Sequence, residues 1–375
     1  MLLGSAFSRY TPRSFGLKIS SKAWYTSTSN PLLASLTAKL VPQNKVRHFL
    51  SLEDYSPAEI FALVEKASSL KKICKNLPLA QKDLDLKHSL HTSPNLSGKT
   101  VALMFTKRST RTRIATESSV AFLGGSSMFL GSSDIQLGVN ESLLDSSIVI
   151  SSMVDAIMAR VNGHEDIEEL AKYSSVPVIN ALSDSSHPTQ ILADMLTLYE
   201  VFQKPAQSVQ DALKGLKASW VGDSNNMLYE FLTAFPKCGI SLAAATPQNY
   251  PIPQKYIQLA TSSPQNAPIY ITTSPAIAIS GANVIITDTW ISMGQEEEKK
   301  QRLLDFAGYQ INDSLISAGN PHPDYIFMHC LPRKPDEVSD QIFYGDKSVV
   351  FQEAENRKYT IMAVLHSLLV DSTDH

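Results

Sequence analysis

Two successive rounds of short apolar runs, each alternating with amphipathic stretches, constrain this chain more than any other feature. In the first round, strand-like runs at 101–105, 156–158 and 176–179 are separated by helix-period segments at 114–123 and 167–173. The second round places strand-like runs at 219–221, 241–245, 284–286, 325–328 and 349–351, with a helical segment at 228–235. Strands that recur only after a helix must run parallel, so the pattern predicts parallel sheets covered by helices. At 375 residues the chain exceeds one ordinary core and suits two domains. The expected fold class is therefore α/β, with two doubly wound parallel-sheet domains linked by helices. Ser56-Pro57 resembles a helix cap before the periodic Ile60, Phe61, Val64 and Ala67. Residues 75–99 look like a polar loop. A longer helix is predicted over 188–202, with Leu192, Met195, Leu196, Tyr199 and Phe202 on its apolar face. The 203–214 stretch is polar and linker-like, and a last helix, 354–370, is expected to pack back on the first half.

Composition removes several function classes. A net charge of −3 points to neither nucleic acid nor an anionic membrane surface. No apolar run reaches the ~18 residues needed to span a bilayer. Cys74, Cys238 and Cys330 are odd in number and far apart, which argues against a disulfide framework or zinc cluster and for a reducing compartment. The amino terminus differs from the rest, because the first acid is Glu53, after seven Lys and Arg residues among many Ser and Thr. Such a leader reads as an organelle transit segment of about 35 residues, with a disordered basic tail as the alternative. Loss of residues up to about Asn30 would remove four basic residues and no acid, moving the formal charge from −3 to −7.

Three constellations carry chemistry. Ser109-Thr110-Arg111-Thr112-Arg113 follows the strand at 101–105 and opens a helix whose predicted inner face is Ile114, Ala115, Ser118, Ala121 and Phe122. Hydroxyls, free amides at a helix start and a forked guanidinium together make a cradle for a dianionic phosphate. A capped, solvated helix start with scattered arginines would give the same letters. Ser186-His187-Pro188-Thr189-Gln190 puts an imidazole and an amide three residues apart on one helical face, able to serve a carbonyl and an amide N–H. Alone, that histidine reads more readily as a cap than as a ligand. Third, polar clusters follow the later strands at Asp223-Ser224-Asn225-Asn226, Asp288-Thr289-Trp290-Ile291-Ser292-Met293-Gly294 and His329-Cys330-Leu331-Pro332. Ligands of open parallel sheets bind at strand carboxyl ends, so three such clusters predict one pocket. Ordinary turn chemistry remains a reading of Asp223-Ser224-Asn225.

Together the Ser109–Arg113, His187–Gln190 and His329–Pro332 motifs resemble the three signatures of the aspartate/ornithine carbamoyltransferase family, over essentially 48–370. Asp288-Thr-Trp-Ile-Ser-Met-Gly294 and Cys330 are similar to its ornithine branch. The resemblance implies an enzyme that moves a carbamoyl group from carbamoyl phosphate to the side-chain amine of L-ornithine, giving citrulline in arginine metabolism. It implies no metal, no cofactor, no nucleic acid and no membrane, and a homotrimer in the mitochondrial matrix with active sites at subunit boundaries. A carbamoyl-phosphate domain over 48–187, an ornithine domain over 188–353 and the returning helix would follow. By motif, Ser109, Thr110, Arg111, Thr112, Gln136, Arg160 and Arg357 would hold the phosphate. Arg160, His187, Gln190, Cys330 and Leu331 would hold the carbamoyl group, with Arg160, His187 and Cys330 nearest the reaction. Asn226, Asp288, Ser292 and Met293 would hold ornithine. A dehydrogenase is disfavoured because Val221-Gly222-Asp223-Ser224 lacks a G-x-G-x-x-G fingerprint.

Overall fold

The computed structural model describes residues 40–42, 46–76, 95–132, 141–291 and 296–371. The expected leader through residue 35, together with Gln136, Ser292 and Met293, lies outside the described residues. The rest builds two all-parallel sheets. The first comprises β1 (Thr100–Phe105), β2 (Ser126–Gly131), β3 (Ala156–Arg160) and β4 (Val178–Leu182), in spatial order β2-β1-β3-β4. The second comprises β5 (Lys217–Val221), β6 (Ser241–Ala245), β7 (Ile269–Thr272), β8 (Val284–Thr287) and β9 (Ile326–His329), in order β7-β6-β5-β8-β9.

The central strands were legible because they are buried on both faces and read as continuous apolar runs. β2 and β7 were not predicted. Both are edge strands, and their exposed polar or aromatic residues break the apolar run. In each sheet the order reverses beside the first strand, between β1 and β3 and between β5 and β8. Those switch points leave crevices at the strand carboxyl ends. The predicted motifs all lie there: Ser109 after β1, Arg160 ending β3, His187 after β4, Asn226 after β5, Asp288 after β8 and Cys330 after β9.

Helix Pro57–Asn76 starts as expected, with Ser56 and Glu59 exchanging hydrogen bonds and Ile60, Phe61, Val64 and Ala67 buried. The polar 203–214 stretch holds a short helix, Val209–Leu213, capped by Ser208. Two expectations are corrected. Residues 349–351 form no strand; only Ser348 bridges to Phe327, and helix Val350–Leu369 begins at once, with Phe351 exposed. A three-residue apolar run is too short to separate strand from helix. Helix Arg111–Phe122 also turns a different face inward. Thr112, Ala115, Thr116, Ser119 and Val120 are buried, whereas Ile114 is 62% exposed. Thr116 and Ser119 return their hydroxyl protons to carbonyls one turn back, and Ser119 also reaches Lys358 O at 2.7 Å. Hydroxyls satisfied in this way can be buried against the final helix, which a purely apolar count misses. The final helix packs on the Pro57–Asn76, Arg111–Phe122 and Pro188–Phe202 helices, bringing Arg357 back to the first sheet.

Candidate active site

Three arginines converge from separate elements. Arg111 opens its helix and donates through Nη2 to Leu331 O across the crevice. Arg160 ends β3, its carbonyl held by Thr106 N at 2.9 Å and Thr106 Oγ1 at 3.0 Å. Arg357, on the final helix, donates to Thr112 Oγ1 at 2.9 Å. Burial and the neighbouring Arg111 pull both Arg160 and Arg357 down to about 10. The Nε atoms of all three are buried and meet no acceptor among the described residues. Three crowded cations with spare donors favour an anion of more than one charge. Ser109, half-buried, directly precedes Thr110, which occupies the helix cap position without a side-chain capping bond.

His187 precedes Pro188 at the start of helix Pro188–Phe202 and is buried. Burial, reinforced by Arg357, Arg160 and Arg111, holds its imidazole well below the usual range, so it is neutral. Gln190 lies one turn on. Its Nε2 donates to Asp194 Oδ1 at 2.8 Å and Glu353 Oε1 at 2.9 Å, while its Oε1 is buried with no protein partner among the described residues.

The second sheet supplies acids and a thiol. Cys330 Sγ donates to Asp288 Oδ1 at 2.9 Å. Burial, then Asp288, pushes the thiol well above its ordinary value, so it stays protonated. Burial also raises Asp288. Asn225 Nδ2 reaches Asp288 Oδ2 at 3.4 Å while Asn225 Oδ1 caps helix Asn226–Ala234. Asn226 Nδ2 donates to Ser183 O at 2.8 Å, linking the second sheet's helix to the loop before His187. Leu331 has φ of 61°, an uncommon conformation for a side chain of its size. His329 braces it: Nδ1 accepts from Leu331 N at 2.9 Å, so Nε2 carries the proton toward Glu337 Oε2 at 3.2 Å. Asp288, His329 and Cys330 have ligand atoms within 4.8 Å of one another, a metal-like spacing, but both His329 nitrogens are already engaged.

Sequence reasoning named Arg111, Arg160, His187, Gln190, Asp288, Cys330, Leu331 and Arg357, and the fold brings these together. It missed Asp194, Glu353 and Glu337, acids that touch the named residues or their turn from remote positions, whereas Asn225 stood in a cluster already read as pocket-forming. Asp223, in a cluster read as pocket-forming, is instead paired with buried Arg302 at 2.5 Å. Glu230 is a further buried acid, pushed up to about 7 by burial. It accepts from Leu52 N at 2.6 Å and Ser186 Oγ at 2.5 Å, tying the second sheet's helix to the His187 loop.

The carbamoyl-P binding domain model of aspartate/ornithine carbamoyltransferases matches residues 47–200, and the Asp/Orn binding domain model matches 214–368. The chain belongs to the aspartate/ornithine carbamoyltransferase family. Among curated members, mitochondrial ornithine carbamoyltransferase of Aspergillus niger is 46% identical over 353 residues, covering 92% of each chain. The mitochondrial enzyme of Aquarana catesbeiana is 47% identical, covering 88% of each chain. Solved carbamoyltransferase structures agree. The mitochondrial ornithine carbamoyltransferase of Coccidioides immitis superposes with a TM-score of 0.77 at 45% identity, covering 87% of this chain and 98% of that one. That of Pyrococcus furiosus gives 0.76 at 39%, covering 86% and 97%.

Proposed function

We propose that this carbamoyltransferase transfers the carbamoyl group of carbamoyl phosphate to the side-chain amine of L-ornithine, forming L-citrulline and phosphate in arginine metabolism. The observation that carries this reading is the meeting of buried Arg160 and Arg357, half-buried Arg111 and a neutral histidine with the Cys330–Asp288 pair. In this reading Ser109, Thr110, Arg111, Thr112 and Arg357 grip the phosphate, joined by Gln136. Arg160 and neutral His187 donate to the carbamoyl oxygen, while Gln190 Oε1 and the carbonyls at Cys330 and Leu331 accept from its NH₂. Asn226, Asp288, Ser292 and Met293 hold ornithine, with Cys330 beside the reacting amine.

The amine nitrogen attacks the carbamoyl carbon, and the carbonyl electrons move onto oxygen. Collapse restores the carbonyl, breaks the carbon–oxygen bond to phosphate and releases phosphate with the bonding pair. The proton shed by nitrogen leaves with that phosphate. The oxygen charge meets donors fixed before the reaction, each worth ~3 kcal/mol in comparable sites. The amine must first be neutral, and with a lysine-like value of ~10.4 it lies about three units from that form near pH 7.5. That gap amounts to roughly 4 kcal/mol. The low-lying His187 is neutral throughout this range and does not compete for the proton.

Residues 48–187 with the returning helix 354–370 serve the donor, and 188–353 serve ornithine, except that Gln190 on the connecting helix and the Cys330–Leu331 turn also face the donor. The working form is a homotrimer in the mitochondrial matrix; the acid-free leader and relatives named mitochondrial support the location. The deciding experiment compares citrulline formation with ornithine against carbamoylation of putrescine and aspartate. Ornithine is expected to dominate both, and equal use of putrescine would overturn the assignment of the amino-acid end.

A further inference from the structure

The Gln190 amide is held by an unusual arrangement. Both of its N–H bonds are spent on carboxyl oxygens, Asp194 Oδ1 at 2.8 Å and Glu353 Oε1 at 2.9 Å. Glu353 Oε2 in turn accepts from His329 N at 2.9 Å, in the turn that carries Cys330 and Leu331. Asp194, Glu353 and Gln190 are all buried. Asp194 Oδ1 and Glu353 Oε1 thus converge on one nitrogen, which brings two buried carboxyl groups together, and such a pair carries a strong charge penalty unless it keeps one proton. Resting on the reading of Gln190 as a carbamoyl contact, we propose that Asp194 and Glu353 are positioning residues whose single shared proton fixes which end of the Gln190 amide faces the donor.

The reasoning is one of donors and acceptors. With one proton, Glu353 donates to Asp194 while oxygens of both still accept from Gln190 Nε2. The amide is then locked with Nε2 inward and Oε1 toward the donor's NH₂. With a second proton, Asp194 acquires an O–H that competes for the Gln190 oxygen and favours the flipped amide, which presents N–H groups to another N–H donor. With neither proton, two buried anions repel each other. Burial holds both carboxyls above their ordinary range, Asp194 at about 7 and Glu353 well above it. The charged and titratable groups around the pair are Arg357 one turn along Glu353's helix, Asp288 after β8 and the Cys330 thiol after β9. Glu353 therefore links both acceptors of the carbamoyl NH₂, through Gln190 and through the His329 turn.

Two substitutions separate the shared proton from mere packing. Asp194→Asn offers an oxygen to Gln190 and an N–H to Glu353, so the same bonds form without any shared proton. Glu353→Gln puts an amide nitrogen where an acceptor is needed, leaving either Gln190 Nε2 or His329 N without its partner. Carbamoyl phosphate uptake is measured by calorimetry, with no amine nucleophile present, at pH 6 and pH 8. Wild type is expected to weaken about tenfold from pH 8 to 6, the protonation of one group near 7. Asp194→Asn is expected to bind within about threefold of wild type at pH 8 and to change less than about threefold down to pH 6. Glu353→Gln is expected to bind at least about tenfold more weakly at both values. A wild-type slope retained in Asp194→Asn would overturn the proposal, and so would normal binding by Glu353→Gln. If Glu353→Gln fails to fold, the slope in Asp194→Asn still decides. Wild type that takes up no carbamoyl phosphate at either pH would instead sink the underlying reading of the site.

Discussion

On the first-sheet side of the crevice, Arg111 lies close enough to Arg160 and Arg357 to help depress both, and the Nε donors of all three meet no acceptor among the described residues. On the second-sheet side, Asp288 and Cys330 hold a proton between them, and Asn225 steadies the carboxyl. One wall is short of negative charge and the other is short of positive charge. Each is costly to bury by itself, and each fits one of two reactants of opposite sign, a phosphate dianion and an amino acid carrying two amines. The contrast teaches that the reactants are sorted by charge before any chemistry starts. Neutral His187 and protonated Cys330 each keep one protonation state across ordinary pH.

Removing the cationic wall should break the comparison most severely. Arg111→Gly is expected to leave less than about a hundredth of the wild-type turnover, because in the proposed site the guanidinium fork grips the phosphate while it also holds Leu331 O. Near-normal steady-state kinetics would refute that role. The acidic wall should show itself in pH dependence. Since neither His187 nor Cys330 titrates between pH 7 and 8.5, kcat/KM for ornithine should rise roughly thirtyfold over that range as the amine loses its proton. A flat profile would move the limiting event elsewhere. A subtler consequence concerns stability. Arg160 falls from 12.5 when unfolded to about 10 when folded, so the unfolded chain holds that proton more tightly. The penalty, on the order of 3 kcal/mol, is present at every pH below about 10 and fades only above it. Arg160→Met should therefore be inactive yet melt about 3 °C or more higher at pH 8, and a lower melting temperature would contradict the strain assigned to the cationic wall.

The same contrast decided what could be read from the letters. The cationic wall was legible because Ser109–Arg113 and His187–Gln190 are contiguous motifs at predicted strand ends. Arg160 was expected at the site from the family resemblance, and it ends the apolar run that forms β3. The supports were not legible. Asp194 lies on a helix face that reads as core, Glu353 is 163 residues from Gln190, and only packing of the final helix joins them. Asp223 looked like part of the pocket, but its partner Arg302 sits 79 residues on, in a helix with no motif. Edge strands β2 and β7 escaped because their exposed faces dilute the apolar signal, and the 349–351 run misled because three residues cannot reveal a period.

The most direct test of charge sorting is calorimetric uptake of carbamoyl phosphate, at pH 8 and without ornithine, by wild type, Arg111→Gly and Asp288→Asn. Asp288→Asn should take up the donor within about threefold of wild type, while Arg111→Gly should lose at least about 2 kcal/mol of binding. Equal losses in both variants would contradict the account, because the two walls would then serve the same reactant.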